Sequence, residues 1–461
     1  MKMQREHWGS RLGFIMAAAG AAIGLGTLWM FPYLTGENGG GAFVLIYFAA
    51  MLFVGFPIFI AELLLGRSAQ KASVGVFSTL ASDSPSWKIV GWLAVTASFL
   101  IMSYYSVVAG WGLNYLLLSA SQFYDGRSLE EISGTFDILQ SAGDISVFWH
   151  MIFTGMTVGI VYMGVRNGIE YWSKFITSSL LVMLIGLFFY ACTLKGFSDA
   201  LHYVFYPDLS KLKPSGVLEA LGLAFFTLSL GQGAMLTYGS YMNKEEDIPK
   251  TAMIVVGMDL VVSLLAAMVI FPMIFTFGFE PKSGPGLIFK VLPVAFAQLP
   301  ASSLISTVFF SLFVCTALTT SVSFIEVIVA NAMEVMEWSR KKSCLIIGGL
   351  VFLFGIPSAL SGCQGIFPAW EAIYGKTFFD VISGLVSNWI LPVGGMLTAC
   401  FTGWQLGKEK CQKEFCSGTK WKFLFRPWFF MVRWIAPIAT FLIILNKTGV
   451  LDFDSICCLF S

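Results

Sequence analysis

Charge is what this chain has least of. Only 12% of its 461 residues are charged, and 28 Lys and Arg against 27 Asp and Glu leave a net charge of +1. That balance gives no reason to expect a nucleic-acid partner. Histidine is scarcer still. The 3 present, His7, His150 and His202, lie near segment ends with no paired nucleophile or metal spacing, which disfavours an intramembrane enzyme. The 9 cysteines (Cys192, Cys315, Cys344, Cys363, Cys400, Cys411, Cys416, Cys457 and Cys458) are scattered and make no disulfide framework. Cys411 and Cys416 form a CxxxxC pair without nearby histidines, a weak metal signal. Lys2, Arg5 and Arg11 precede no short apolar core with a small-residue cleavage site, so no cleavable signal is expected.

Apolar residues are what it has. They make up 57% of the chain, with a mean hydropathy of +0.78, a composition of integral membrane proteins and of no soluble class. The long apolar runs predict eleven spans, at 12–34, 41–65, 89–119, 146–165, 171–194, 216–242, 252–279, 302–336, 343–361, 378–405 and 428–446. The longest of these tilt or extend past the hydrocarbon. With the N-terminus inside, 20 of the 28 Lys and Arg fall on inner segments, including Arg340, Lys341, Lys342 and the run from Lys408 to Arg426, and the other 8 fall outside. That bias orients the N-terminus to the cytoplasm. An odd number of spans then places the tail after Asn446 outside. The longest external connections are 120–145 and 280–301.

Two places defy a continuous helix. Gly20-Ala-Ala-Ile-Gly-Leu-Gly26 sits in the middle of the first span, and Ser229-Leu-Gly-Gln-Gly233 in the middle of the sixth. Glycine lowers helix propensity where a spanning helix most needs its hydrogen bonds. Unpaired backbone at that depth survives only where it lines a cavity or binds something. Two interrupted spans in corresponding places divide the chain into five-span halves of opposite topology, 1–215 and 216–405, with 406–461 carrying a cytoplasmic loop, span 11 and an external tail. That arrangement points to a transporter with its site at the midplane. Half-helix N-termini attract anions and C-terminal carbonyls attract cations, which suits a zwitterion with a metal ion. Hydroxyl oxygens for a hard cation stand nearby at Thr27, Thr227, Thr316, Thr319 and Thr320. A lone threonine in a spanning helix more commonly bonds back to its own helix.

Several longer motifs carry a resemblance. Arg5-Glu-His-Trp8, Arg11-Leu-Gly13, Gly24-Leu-Gly26, Phe31-Pro-Tyr33 and Glu37-Asn-Gly-Gly-Gly-Ala-Phe43 are followed by Glu62-Leu-Leu-Leu-Gly-Arg67, Tyr104-Tyr105, Asn167-Gly-Ile-Glu-Tyr-Trp-Ser-Lys174, Phe225-Phe-Thr-Leu-Ser-Leu-Gly231 and Thr319-Thr-Ser321. In this order they resemble the neurotransmitter:sodium symporter family over nearly the whole chain. Short tails and an external loop without a cysteine pair suggest a bacterial member. The resemblance implies an all-α membrane protein with a five-plus-five inverted repeat and helices 1 and 6 broken, the LeuT-like fold. Most members of the family have twelve spans, and this chain is expected to have eleven.

Carried onto this sequence, the resemblance assigns the substrate carboxylate to the amides of Leu25 and Gly26, the Tyr105 hydroxyl and one sodium ion. The substrate amino group falls to carbonyls of Ala22, Phe226 and Thr227, and its side chain to Ile101, Phe226, Ser229, Gln232 and Phe324. Gly24 stands where monoamine carriers hold an amine-binding aspartate, which favours a substrate with its own carboxylate. One sodium would be held by Ala22, Thr27, Thr227 and Asp259, although the family's usual asparagines are replaced here by Thr27 and Asp259. A second would be held by carbonyls of Gly20, Ile23 and Thr316 and hydroxyls of Thr319 and Thr320. Tyr47, Asp259 and Ser263 mark the equivalent of an anion site. Leu223 replaces its glutamine, and the Asp259 carboxylate supplies the charge in place of chloride, so transport weakens if Asp259 is protonated. Gate residues carry over as Arg5, Trp8, Ser240, Tyr241 and Glu334 on the cytoplasmic side and Asp380 outside, with Met30 replacing the arginine partner of Asp380. Glu62 is expected to bond the unwound part of span 6.

The sequence therefore reads as a multi-pass protein of the cell (inner) membrane that is not an enzyme. Its expected partners are an amino acid, two sodium ions and membrane lipid, with no organic cofactor. The substrate is expected to be large and apolar or aromatic, with tyrosine slightly favoured. A membrane receptor that binds an amino acid without moving it is the rival reading.

Overall fold

A computed structural model describes residues 5–281, 284–363 and 368–448. Lys2, Cys457, Cys458 and the tail beyond 448 lie outside the described residues. Among those described there is no strand; helices account for every span. Span 1 is a pair, Arg11–Ala22 and Gly26–Glu37, bent by 49° at its break. Spans 2 to 5 are Gly41–Ala69, Pro85–Ala120, Gly143–Tyr162 and Val165–Ala191. Span 6 is Pro214–Thr227, six residues of turns, then Ala234–Gly239, and neither piece is long enough to cross alone. Spans 7 to 11 are Ile248–Thr276, Ser302–Val335, Arg340–Ala359, Phe378–Gln405 and Lys422–Lys447. Among the described residues, nine of the eleven expected segments are helices long and apolar enough to span, the first is a bent pair, and the sixth is two shorter pieces, with ends shifted by a few residues. The connecting segments are less plain than expected: 120–145 carries a helix at Leu129–Ser141 and 280–301 one at Val291–Ala297.

Local chemistry sets the ends. Ser10, Asp247 and Ser339 each accept a hydrogen bond from a first-turn amide of the helix they precede. Ser128 and Glu131 close a reciprocal capping box on Leu129–Ser141. Inside the spans, proline explains a repeated irregularity. Widened π turns at Gly26–Met30, Met51–Gly55, Val386–Ile390 and Met431–Ile435 each lead into an X-Pro pair, at Pro32, Pro57, Pro392 and Pro437. The residue before each proline bonds the carbonyl five positions back. That shift makes room for the ring and the missing amide donor without breaking the span.

Span 8 is the centre of the bundle. Burial reaches 94% of its most apolar window, against 33% for span 5, whose outer face is left for lipid. Spans 1, 3, 4, 5 and 9 pack along it. Two of the charges buried within the helices are held in ion pairs, which offsets the cost of burying them. Glu326 meets Arg340 at 2.7 Å and is fully buried, and Arg67, also fully buried, meets Glu414.

Candidate functional site

The two breaks face each other across the core. The first helix ends at Ala22, Ile23 turns extended (φ −74°, ψ 90°), and the chain resumes helix at Gly26. The second ends at Thr227 and passes through Ser229 (φ 55°), Gly231 (φ 76°) and Gly233 (φ 78°) before Ala234. Glu62 fixes this passage, its Oε1 accepting the Gly231 amide at 2.8 Å. The Ser229 hydroxyl donates to Ala21 O at 2.8 Å, so this residue also ties the breaks together. Gly231 has no room for a side chain, since a Cβ would lie 2.4 Å from Leu391 O. Gly231→Ala is expected to cost at least the ~1–3 kcal/mol of a non-glycine residue in this backbone region, plus the clash. Thermal melting of the purified protein checks this, with Gly257→Ala, whose Cβ meets nothing within 4 Å, melting like the parent.

Beside the first break, the Leu25 amide donates to the Tyr105 hydroxyl at 3.1 Å. A Cβ on Gly24 would stand 2.9 Å from Thr320 Oγ1 and 3.2 Å from Tyr105 OH, so glycine keeps that corner clear. Leu25, Tyr105 and Phe226 form one end of a partly open cavity of about 220 Å³. Its other walls are Trp29, Met30, Tyr33, Tyr104, Val108, Phe379, Ser383, Gly384 and Ser387. The structure thus gathers three of the expected substrate residues onto the cavity wall. Ile101, Ser229, Gln232 and Phe324 are buried behind it, with the Phe324 ring edge-on to Tyr105 at 5.4 Å. Gln232 is 1% exposed and its Oε1 meets no hydrogen-bond donor among the described residues. The walls from Trp29, Tyr33, Tyr104 and Phe379 were not foreseen, because an aromatic residue in an apolar span looks like packing.

Five oxygens converge between span 1 and span 8. Thr320 Oγ1 donates to Gly20 O at 3.0 Å, with Ile23 O and Thr316 O each at 3.3 Å. Thr319 Oγ1 lies 3.1 Å from Thr316 O. Thr316 itself contributes its carbonyl here, while its hydroxyl donates back to Leu312 O at 2.8 Å. These are the groups expected around the second sodium.

A second polar cluster gathers at Asp259, which is fully buried. Thr27 Oγ1 donates to its Oδ1 at 2.8 Å and Tyr47 OH to its Oδ2 at 3.3 Å. Tyr47 OH also lies 3.1 Å from Thr227 Oγ1, which is 3.0 Å from Leu223 O. Ser263 is buried one turn beyond Asp259. Ala22, buried at the end of the first helix, has only its backbone carbonyl to offer this cluster.

The two ends of the bundle differ. At one, Arg5 pairs with Glu334 and donates to Ser240 Oγ, with its guanidinium 4.6 Å above the Tyr241 ring. Trp8 is 3% exposed and donates from Nε1 to Tyr238 O at 3.0 Å. Tyr241 OH donates to Glu326, linking this closure to Arg340. Glu326 and Arg340 were not foreseen, since 14 residues separate them in sequence. At the other end Asp380 accepts from Thr377 Oγ1 at 2.8 Å and pairs with no basic side chain among the described residues, and Met30 lines the cavity. The bundle is sealed at the Arg5 end and opened by the cavity at the other.

The sequence and fold are similar to those of known proteins. The model of the sodium:neurotransmitter symporter family matches residues 5–124 and 119–449. A sodium-dependent transporter of Bacillus subtilis (strain 168), YhdH, is 39% identical over 447 residues, covering 97% of this chain and 98% of that protein. A sodium-dependent transporter of Haemophilus influenzae is 34% identical, covering 96% and 98%. The crystal structure of MhsT in complex with L-phenylalanine superposes with a TM-score of 0.87 at 40% identity, over 96% of this chain and 100% of that one. With its two broken spans and the coverage of these matches, the chain is a multi-pass membrane protein that belongs to the sodium:neurotransmitter symporter family.

Proposed function

We propose that this chain is a chloride-independent symporter that uses a sodium gradient to bring a large apolar or aromatic amino acid into the cell by alternating access. The observation that supports this most is the convergence of Gly20 O, Ile23 O, Thr316 O and the hydroxyls of Thr319 and Thr320 across a broken helix and the central span. Such an all-oxygen cluster suits a hard cation, and two of its carbonyls, those of Gly20 and Ile23, stand at the break of span 1. A second sodium is assigned to Ala22, Thr27, Thr227 and Asp259.

In this reading the substrate carboxylate sits between the Leu25 and Gly26 amides, Tyr105 and the first sodium, and its amino group at the carbonyls of Ala22, Phe226 and Thr227. Sodium binding orders the breaks, and the neutral, filled core then lets the Arg5 end open while the Asp380 end closes. Arg5, Trp8, Ser240, Tyr241 and Glu334 form the inner gate, and Asp380 belongs to the outer one. Residues 1–215 and 216–405 act as two five-span halves that rock about this site. The N-terminus is assigned to the cytoplasm of an inner-membrane protein, and the tail beyond span 11 to the outside.

The MhsT structure holds L-phenylalanine, which favours an aromatic substrate here. The orphan Gln232 Oε1 adds a reason to prefer tyrosine, whose hydroxyl is a donor. Sodium-dependent binding of the twenty amino acids to purified protein tests this. Tyrosine and phenylalanine are expected to bind best, and Gln232→Leu to lower the tyrosine-to-phenylalanine ratio by up to about tenfold. Preference for glycine, alanine or an acidic amino acid sinks the reading of the pocket. An unchanged ratio in Gln232→Leu sinks only the role of Gln232.

A further inference from the structure

Span 5 presents an outward stripe at the same end of the molecule as Arg5. Tyr171, Lys174, Phe175, Ser178, Val182 and Met183 recur at helical spacing, share one face and line a shallow groove of about 680 Å³. Hydroxyls and an ammonium occupy its first turns, and apolar side chains follow, with Val182 71% exposed. This polarity matches a phospholipid, headgroup at one end and acyl chain along the other. Tyr171 and Trp172 are the aromatic pair expected where hydrocarbon meets headgroups. Arg166, exposed at the same end, adds positive charge.

Lys174 is not consumed by its protein partner. It donates to Glu170 Oε1 at 2.7 Å, yet its side chain is 39% exposed, and an ammonium carries three donors. Glu170 has other donors, taking the Gly9 amide at 2.6 Å and Ser10 Oγ at 2.8 Å. We propose that the groove holds an anionic phospholipid of the leaflet on the N-terminal side, its phosphate on Lys174 and Ser178 and its acyl chain on Phe175, Val182 and Met183. The phosphate then shares the ammonium that also meets Glu170, whose carboxylate fastens Gly9 and Ser10 at the start of span 1. Lipid at this face thereby reaches the segment that carries Arg5 and Trp8 without touching the substrate or ion oxygens.

Native mass spectrometry of the full-length protein, exchanged into phosphatidylglycerol or phosphatidylcholine, tests this. The parent is expected to retain phosphatidylglycerol preferentially, and Lys174→Gln to reduce that retention about five-fold. Ser178→Glu puts a second carboxylate four residues from Lys174, repelling a phosphate and competing for the ammonium, and is expected to reduce retention as much, without loss of thermal stability. Lys195→Gln, past the far end of span 5, is expected to retain lipid like the parent. Equal retention of the two lipids by the parent overturns the proposal. So does undiminished phosphatidylglycerol on Lys174→Gln or Ser178→Glu, which would leave Lys174 serving Glu170 alone.

Discussion

Thr320→Ala is expected to lower sodium affinity by about ten- to a hundredfold, the equivalent of ~1.5–3 kcal/mol for a bond to a charged group. The Thr320 hydroxyl stands within 3.3 Å of Gly20 O, Ile23 O and Thr316 O, so under the proposed assignment its removal takes one of few oxygens from the cation. Thr316 does not replace it, because its own hydroxyl donates back to Leu312 O. Sodium titration of substrate binding measures the effect. Thr320→Ser restores the oxygen and should restore most of the affinity. A sodium dependence unchanged in Thr320→Ala would remove this cluster from the transport cycle.

Asp259→Asn is expected to reduce chloride-free uptake at least about tenfold, since one unit of negative charge beside a cation in a poorly solvated core is worth several kcal/mol. The carboxylate accepts from Thr27 at 2.8 Å and from Tyr47 at 3.3 Å. An amide of the same shape keeps part of this bonding and loses the charge. Chloride added to the variant should partly restore uptake, because Tyr47 and Ser263 remain as donors for an anion. Parent protein is expected to transport equally in chloride and in gluconate. Collapse of parent activity in gluconate would show that Asp259 does not stand in for the anion.

The backbone features were the most legible. The breaks fall within the glycine-rich stretches: the first helix runs through Gly20 to Ala22 and resumes at Gly26, and Gly231 and Gly233 take positive φ in the second. Span positions follow directly from apolar runs. The threonines of span 8 are ambiguous one by one: Thr316 and Thr319 bond back to their own helix, and it is Thr320 that also reaches Gly20 O and Ile23 O across the break. The walls of the cavity are less legible. Trp29, Tyr104 and Phe379 belong to three distant segments, and no local pattern says that they share a space. The same holds for Glu326 with Arg340 and Arg67 with Glu414, pairs made by tertiary packing alone. The helix at Leu129–Ser141 could have been read, since Ser128 and Glu131 are a capping box in sequence as well as in structure. Asp380, expected at the outer gate, accepts from Thr377 in place of a basic partner.

Accumulation in sealed proteoliposomes tests most directly whether the chain is a coupled carrier. With sodium outside and none inside, labelled tyrosine or phenylalanine should rise inside above its external concentration and fall back when an ionophore dissipates the gradient. Sodium-dependent binding of the same amino acid with no accumulation in the vesicle lumen would contradict transport and leave a receptor in its place.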